Sequence, residues 1–181
     1  GMNTSGQLGD NTTTNQTSPV QVKGVGGTGT LANIKAIAAG GSHSLALSNT
    51  GTVYAWGSNT YGQLGDNTTT NRLVPVQVKG VGGSGTLTSI TAISAGTSHS
   101  LAANGSGAAY AWGLNSPSQL GDTTTTQQNA PVRVRAVSGT GNLTGIKSVA
   151  AGETHSLAVT TTGLMYAWGY HSKGELGDGT T

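Results

Sequence analysis

The chain has 181 residues, of which 31 are glycine, none is cysteine or phenylalanine, and only 8% are charged. The absence of cysteine excludes a disulfide framework and a thiolate metal site. The net charge of +2 is small and the basic residues are spread along the whole chain, which disfavours binding to nucleic-acid phosphates. No apolar run approaches the length of a membrane span. We therefore expect neither a nucleic-acid partner nor insertion into a membrane.

The first strand pattern follows a polar opening loop. Residues 11–18 (NTTTNQTS) predict a surface loop, and residues 20–23 alternate valine with polar side chains, as in a strand with one buried face. Pro19 at the entry is compatible with an outermost strand, because proline donates no hydrogen bond to a neighbouring strand. The sequence therefore predicts that residues 20–23 form the outer strand of the first unit.

Three further strand patterns complete this unit. The glycine-rich residues 24–33 predict an extended loop, and strands are then predicted at residues 34–39 (IKAIAA), 43–47 (HSLAL) and 52–57 (TVYAWG). Glycine-containing turns separate these strands, and no helical period persists anywhere in the chain. Each unit is thus predicted to contain four short antiparallel strands.

The same pattern recurs with a fixed period of 56 residues. A period of this length indicates a repeat architecture in which each unit packs on its neighbours. Tandem four-stranded units predict an all-β propeller in which each unit forms one blade. The residues that keep this spacing are His43, His99 and His155, Trp56, Trp112 and Trp168, Pro19, Pro75 and Pro131, and the Leu-Gly-Asp triplets ending at Asp10, Asp66, Asp122 and Asp178.

The period divides a single repeat domain, residues 1–181, into approximate units 6–61, 62–117 and 118–173, with residues 174–181 beginning a further unit. Three blades are too few for a closed ring, since known propellers begin at about four. An open arc would leave apolar faces bare. We therefore predict a homodimer whose two arcs complete a six-bladed ring, with a nine-bladed trimer or a fragment of a longer propeller as the alternatives.

The repeated motifs resemble those of the regulator of chromosome condensation family. They stand as AAGGSHSLAL, YAWGSN and YGQLGD in the first copy, SAGTSHSLAA, YAWGLN and SQLGD in the second, and AAGETHSLAV, YAWGY and GELGD in the third. The resemblance covers essentially the whole chain. It implies a propeller of four-stranded blades, usually six or seven, that serves as a protein-binding platform. The units here are longer than is usual for the family, and there are only three.

Family members include a nucleotide-exchange factor for a small GTPase, parts of ubiquitin ligases, a plant ultraviolet photoreceptor and a bacterial β-lactamase inhibitor. None of these functions transfers residue by residue. The photoreceptor uses clustered tryptophans with neighbouring arginines, whereas Trp56, Trp112 and Trp168 have no arginine beside them in the sequence. We predict a non-enzymatic scaffold for protein binding, with a lectin-like carbohydrate-binding propeller or a purely structural array as the alternatives.

The recurring histidines and aspartates are predicted to be structural. No carboxylate recurs beside the histidines, so we expect each imidazole to bond the backbone of an adjacent blade or turn rather than a metal ion. Asp66, Asp122 and Asp178 provide one carboxylate per loop, whereas calcium loops need several. We expect them to accept hydrogen bonds from turn N–H groups. Serine and histidine in the HS pairs point to opposite faces of a strand, so we predict no catalytic pair and no cofactor.

Positions at which the copies differ are the candidates for partner contact, because shared residues build the blades. Aromatic and arginine side chains are common anchors of protein interfaces. Neutral drift on the surface is the alternative explanation. A composition rich in threonine and asparagine and poor in charge favours a secreted or surface protein of a bacterium. The candidate contacts are Tyr61, Arg72, Arg133, Arg135, Glu153, Tyr170, His171 and Lys173.

Overall fold

The computed structural model describes residues 1–181 and contains three antiparallel sheets. The first sheet contains β1 (Ile34–Ala39), β2 (His43–Ser48), β3 (Val53–Gly57) and β4 (Arg72–Gln77). The second contains β5 (Ile90–Ala95), β6 (His99–Asn104), β7 (Ala109–Gly113) and β8 (Gln128–Arg133). The third contains only β9 (Ile146–Ala151), β10 (His155–Thr160) and β11 (Met165–Gly169). Short 3-10 turns lie at Val25–Gly27 and Val81–Gly83.

Each sheet is a meander in which consecutive strands pair with one another. The first strands of the sheets lie side by side, since β5 contacts both β1 and β9. These inner strands carry small residues, such as Ala38, Ala39 and Ala95, which let neighbouring sheets approach closely. Sheets stacked face to face around their inner strands form an arc of propeller blades.

The hydrophobic core fills the two spaces between the blades. In the first space, Leu45 and Val53 of the first blade pack with Trp112 of the second. In the second space, Leu101 and Ala111 of the second blade belong to one cluster with residues of the third blade, Val149 among them. Burial therefore depends on each blade having a neighbour, as the fixed sequence period predicted.

In the first two blades the outer strand follows the other three in sequence rather than preceding them. Tyr54 of β3 lies opposite Gln77 of β4, and the second sheet repeats this register. The predicted outer strand at residues 20–23 is wrong, because no strand lies beside this segment to satisfy its backbone groups. Only Lys23 pairs, in an isolated bridge to Thr30. Blade boundaries are thus offset from the sequence units, whose limits remain a prediction.

The strand directions divide the arc into two faces. Because β1 and β3 both run opposite to β2, they end at the same edge, where the Ser58 amide donates to the Ser42 carbonyl at 2.8 Å. We define the loop face as the edge formed by residues 40–42, 58–71, 96–98, 114–127, 152–154 and 170–181. We define the turn face as the opposite edge, formed by residues 24–33, 49–52, 78–89, 105–108, 134–145 and 161–164.

Candidate protein-binding surface

The two long loops of the loop face, residues 58–71 and 114–127, are each organised by one buried asparagine. The Asn59 Nδ2 donates to Asp66 Oδ1 and to the Thr68 carbonyl, both at 3.0 Å, and its Oδ1 accepts from the Leu64 amide at 3.0 Å. Asn115 makes the equivalent bonds in the next loop. These asparagines were missed from the sequence, although the 56-residue spacing between them was a usable signal.

The aspartates of these loops accept hydrogen bonds from amides of the turns that they begin. Asp66 Oδ1 accepts from the Thr68 amide at 3.0 Å, and Asp66 Oδ2 pairs with Arg72 at 2.7 Å. Burial raises the pKa of Asp66, but the bonds from Thr68 and Arg72 and the charge of Arg72 outweigh it and hold the pKa below its usual value. The guanidinium of Arg72 is therefore committed to its own loop.

Most of the other candidate contacts also lie on the loop face. Tyr61 and Tyr170 are each 40% exposed there. Glu153, Tyr170 and Lys173 line one cleft of about 490 Å³ together with His155 and with Pro117 of the loop between β7 and β8. His171, in the same terminal loop, lies 3.0 Å from the carboxylate of Asp178. The structure thus brings Glu153, Tyr170 and Lys173 together in one cleft.

Two candidates lie away from this face. Arg133 ends β8 at the turn face, where its guanidinium carbon lies 5.1 Å from the centre of the Tyr110 ring. Arg135 follows it, and its Nη1 donates to Asn142 Oδ1 at 3.3 Å. Strand direction separates these arginines from the loop-face residues, so the eight candidates do not form a single surface.

The recurring histidines connect adjacent blades. His43 Nε2 lies 2.9 Å from Ser100 Oγ of the second blade, and the Ser100 hydroxyl donates to the Gln63 carbonyl at 2.8 Å. The Trp112 indole donates to the same carbonyl at 2.9 Å. The contact with the adjacent blade was predicted, but the partner is a serine side chain rather than backbone. His99 repeats the arrangement towards the third blade.

This chain of donors determines the protonation of the imidazole. Because the Ser100 hydroxyl donates to a carbonyl, its oxygen accepts the proton of His43 Nε2, which leaves Nδ1 unprotonated. That nitrogen has no hydrogen-bond partner. Burial lowers the pKa of His43 and of His99 to about 4, and the next histidine along the arc adds to the effect. Both imidazoles are neutral at pH 7 and act as structural donors.

Two further features of the structure concern metal sites and membrane spans. No group of three or more His, Asp or Glu side chains is arranged so that it could hold a metal ion. The structure contains no helix with the length and apolar character needed to span a membrane. What the surface presents is a row of loops with a few aromatic and charged side chains.

Meanders of four, four and three strands, stacked around their inner strands, define a repeat protein of the β-propeller class. The chain belongs to the regulator of chromosome condensation (RCC1) repeat family, as its motifs predicted. The family model matches residues 1–47, 50–103 and 106–159. A second model of the same repeat matches residues 34–63, 90–119 and 146–175.

Several known proteins are similar over nearly the whole chain. The ultraviolet-B receptor UVR8 of Arabidopsis thaliana is 32% identical over 99% of this chain and 38% of the receptor. The human probable E3 ubiquitin-protein ligase HERC3 is 35% identical over 100% of this chain but only 16% of the ligase. The chain therefore spans well under half the length of these relatives, and their names describe proteins that are much longer.

Two solved structures share the fold. The structure of human WBSCR16 has a TM-score of 0.64 at 27% identity, with 76% of this chain matched to 33% of that protein. The structure of Prp20p from Saccharomyces cerevisiae also has a TM-score of 0.64, at 26% identity, with 83% of this chain matched to 36% of Prp20p. Both matches place the present arc on about a third of a longer chain.

Proposed function

We propose that this chain is a non-enzymatic propeller scaffold that binds a protein partner through its loop face. The observation that carries the proposal is the location of the residues at which the copies differ. Tyr61 and Tyr170 are exposed on this face, while Glu153 and Lys173 line the cleft beside Tyr170. Exposed aromatic residues with charged neighbours are the usual anchors of a protein interface.

The relatives support a role in protein binding. The structure of Prp20p was described together with its binding to Gsp1p and histones, and yeast RCC1 (Prp20) was solved bound to Kap60. Those partners belong to the yeast protein. What we carry to the present chain is the general use of an RCC1-type propeller as a binding platform.

Capture of partners with paired variants tests which face binds. We expect the double variant Tyr61→Ser, Tyr170→Ser to bind a specific partner with an affinity at least about tenfold lower than that of the wild type. Aromatic hot-spot residues dominate the binding energy of protein interfaces. The matched control is Val25→Ser with Val81→Ser, two exposed residues of the turn face. Loss of the partner with the control variant only would contradict the proposal. Binding to a glycan array that depends on the two tyrosines would favour the carbohydrate-binding alternative.

We further propose that two copies complete a six-bladed ring. The support comes from repeat positions whose side chains are buried inside the arc but exposed at its two ends. Ile37 of the first blade is 78% exposed, whereas the equivalent Val149 of the third is 8% exposed. Met165 of the third blade is 70% exposed, whereas the equivalent Val53 is fully buried. Each bare end presents the apolar side chains that the opposite end would cover.

The solution mass tests this closure. We expect light scattering on a sizing column to give a mass near twice 17.9 kDa, because burial of two apolar end faces favours association. A mass near three times that value would instead indicate a nine-bladed trimer. A monomer that persists at high protein concentration would contradict ring closure by self-association.

A further inference from the structure

Two complementary backbone edges remain unpaired in the chain. The outer edge of β11 has no strand beside it, whereas β3 and β7 pair with β4 and β8. Residues 17–21 (TSPVQ), which we call the N-terminal segment, occupy repeat positions of β4 and β8 but pair with no strand. Pro75 and Pro131 at the centre of those strands are buried, whereas the equivalent Pro19 is exposed. An open strand edge of this kind favours the addition of a further strand.

We propose that the N-terminal segment of one copy adds to β11 of a second copy as the fourth strand of its third blade. This inference rests on the homodimer proposed above and names the contact that closes it. The register follows from the repeat, in which Tyr54 lies opposite Gln77. The equivalent residues are Tyr166 of one copy and Gln21 of the other. Backbone bonds of the added strand provide affinity, as in other cases of strand addition.

At each end of the arc, the hydrogen bond between a histidine and a serine of adjacent blades lacks one of its two partners. His155 of the third blade has no serine of a following blade, and Ser44 of the first blade has no histidine of a preceding one. The Ser44 hydroxyl already donates to the Gln7 carbonyl at 2.9 Å, as Ser100 does to Gln63 at 2.8 Å. A second copy would bring His155 to the accepting oxygen of Ser44.

In the proposed ring, the third blade of one copy meets the first blade of the other, and two loops with equivalent repeat positions compete for that junction. Three periods span residues 1–168, so residues 169–181 occupy the same repeat positions as residues 1–13. The first of these loops contains Asn3, a buried asparagine equivalent to those that organise the other long loops. In the last loop, His171 stands at the equivalent position. Residues 1–13 therefore fit the junction, and the second copy displaces residues 171–181 from it.

Disulfide trapping tests the register of the added strand. The chain has no native cysteine, so Tyr166→Cys and Gln21→Cys can be combined in one chain without background. Directly paired residues of antiparallel strands have Cα atoms about 4.5–5.5 Å apart, within the range of a disulfide. We expect mild oxidation to convert most of the protein to a covalent dimer that reductant returns to single chains.

Two matched variants control for folding and for chance collision. Tyr54→Cys with Gln77→Cys repeats the same register inside one blade, and should oxidise without a change in mass. Tyr166→Cys with Thr17→Cys places the second cysteine four residues out of register, so little covalent dimer should form. Equal dimer yields from this pair and from the Gln21 pair would overturn the proposed register.

Light scattering of the reduced protein separates failure of the strand addition from failure of the dimer. A dimer mass with no covalent dimer from the Gln21 pair, while the internal control oxidises, would overturn the strand addition alone. A monomer mass without any intermolecular disulfide would overturn both. Closed covalent trimers would support the strand addition and replace the six-bladed ring by a nine-bladed one. None of these outcomes depends on the loop-face binding experiment.

Removal of residues 171–181 tests the choice between the two equivalent loops. If residues 1–13 occupy the junction, the shortened chain keeps its dimer mass and oxidises through the Tyr166 and Gln21 cysteines at least as completely as the full chain. Loss of the covalent dimer on removal of residues 171–181, with the internal disulfide control intact, would show that the last loop is needed at the junction. That result would overturn the assignment of residues 1–13.

Discussion

Replacement of Gly96 by alanine is expected to lower the free energy of unfolding by about 3 kcal/mol or more, because overpacking at this position has no simple relief. A Cβ atom on Gly96 would clash with the imidazole of His99 and would lie 2.5 Å from the carbonyl oxygen of Gly152 on the third blade. Moving the imidazole aside would break its bond to Ser156. Urea unfolding followed by tryptophan fluorescence measures the loss.

Gly105→Ala is the matched control for this change. The nearest heavy atom to a Cβ at Gly105 is the Thr91 Cγ2 at 3.6 Å, and its φ lies outside the left-handed region. We expect its free energy of unfolding to change by less than about 0.5 kcal/mol, as for most exposed positions. If Gly96→Ala were as stable as Gly105→Ala, the close approach of the second and third blades would be contradicted.

The inner three strands of each blade could be predicted from the sequence because their signal is local. The patterns at residues 34–39, 43–47 and 52–57 agree with β1, β2 and β3 to within one residue at each end. Alternating or continuous apolar runs bounded by glycine turns specify such strands without reference to the rest of the chain. Recurrence at a fixed period then indicated that the strands stack as blades.

The outer strand could not be assigned in the same way because a repeat has no natural starting point. The segment with Pro75 follows β3 of one unit and precedes β5 of the next, and the period is the same whichever blade it joins. Pairing of Gln77 with Tyr54 in the preceding blade is decided by spatial proximity. The same ambiguity led to the wrong strand at residues 20–23, which have the right composition and no partner.

For the candidate surface, too, the sequence indicates which positions vary between copies but not how the fold places their side chains. Tyr61 and Tyr170, which comparison of the copies selected as candidate contacts, are each 40% exposed. The comparison could not reveal that Arg72 is held by Asp66 or that Arg133 lies at the opposite face. Those facts depend on the folding of the loop and on strand direction, which substitution patterns between three copies do not contain.

The junction bonds inside the arc use the same residue types as the proposed junction between two copies. Each internal junction joins a histidine, a serine and a backbone carbonyl, and the two ends of the arc carry the separate halves, His155 and Ser44. If the two ends join as proposed, closure has little structural cost, because the donor and acceptor groups are already held in position on each side.

Acidification from pH 7 to pH 4.5 is expected to destabilise the protein steeply through the same junctions. Burial lowers the pKa of His43 and His99 to about 4, below the ordinary value of 6.5. Between these values the unfolded chain binds protons that the folded chain cannot, so stability is complete above about pH 6.5 and is lost as the pH falls towards 4. Each histidine is expected to contribute a loss of about 3 kcal/mol at the acid end of this window.

Urea unfolding at a fixed protein concentration between pH 4.5 and pH 7.5 measures the effect, since self-association would otherwise shift the apparent stability. The window lies above the ordinary pKa of aspartate, which keeps the contribution of the aspartates small. His43→Gln should be less stable at pH 7.5 but should show a weaker pH dependence than the wild type, because one proton-linked site is gone. Gly105→Ala, a change at an exposed and non-titratable position outside the internal junctions, should keep the pH dependence of the wild type. A free energy of unfolding that stays constant across the window would contradict burial of neutral imidazoles between the blades.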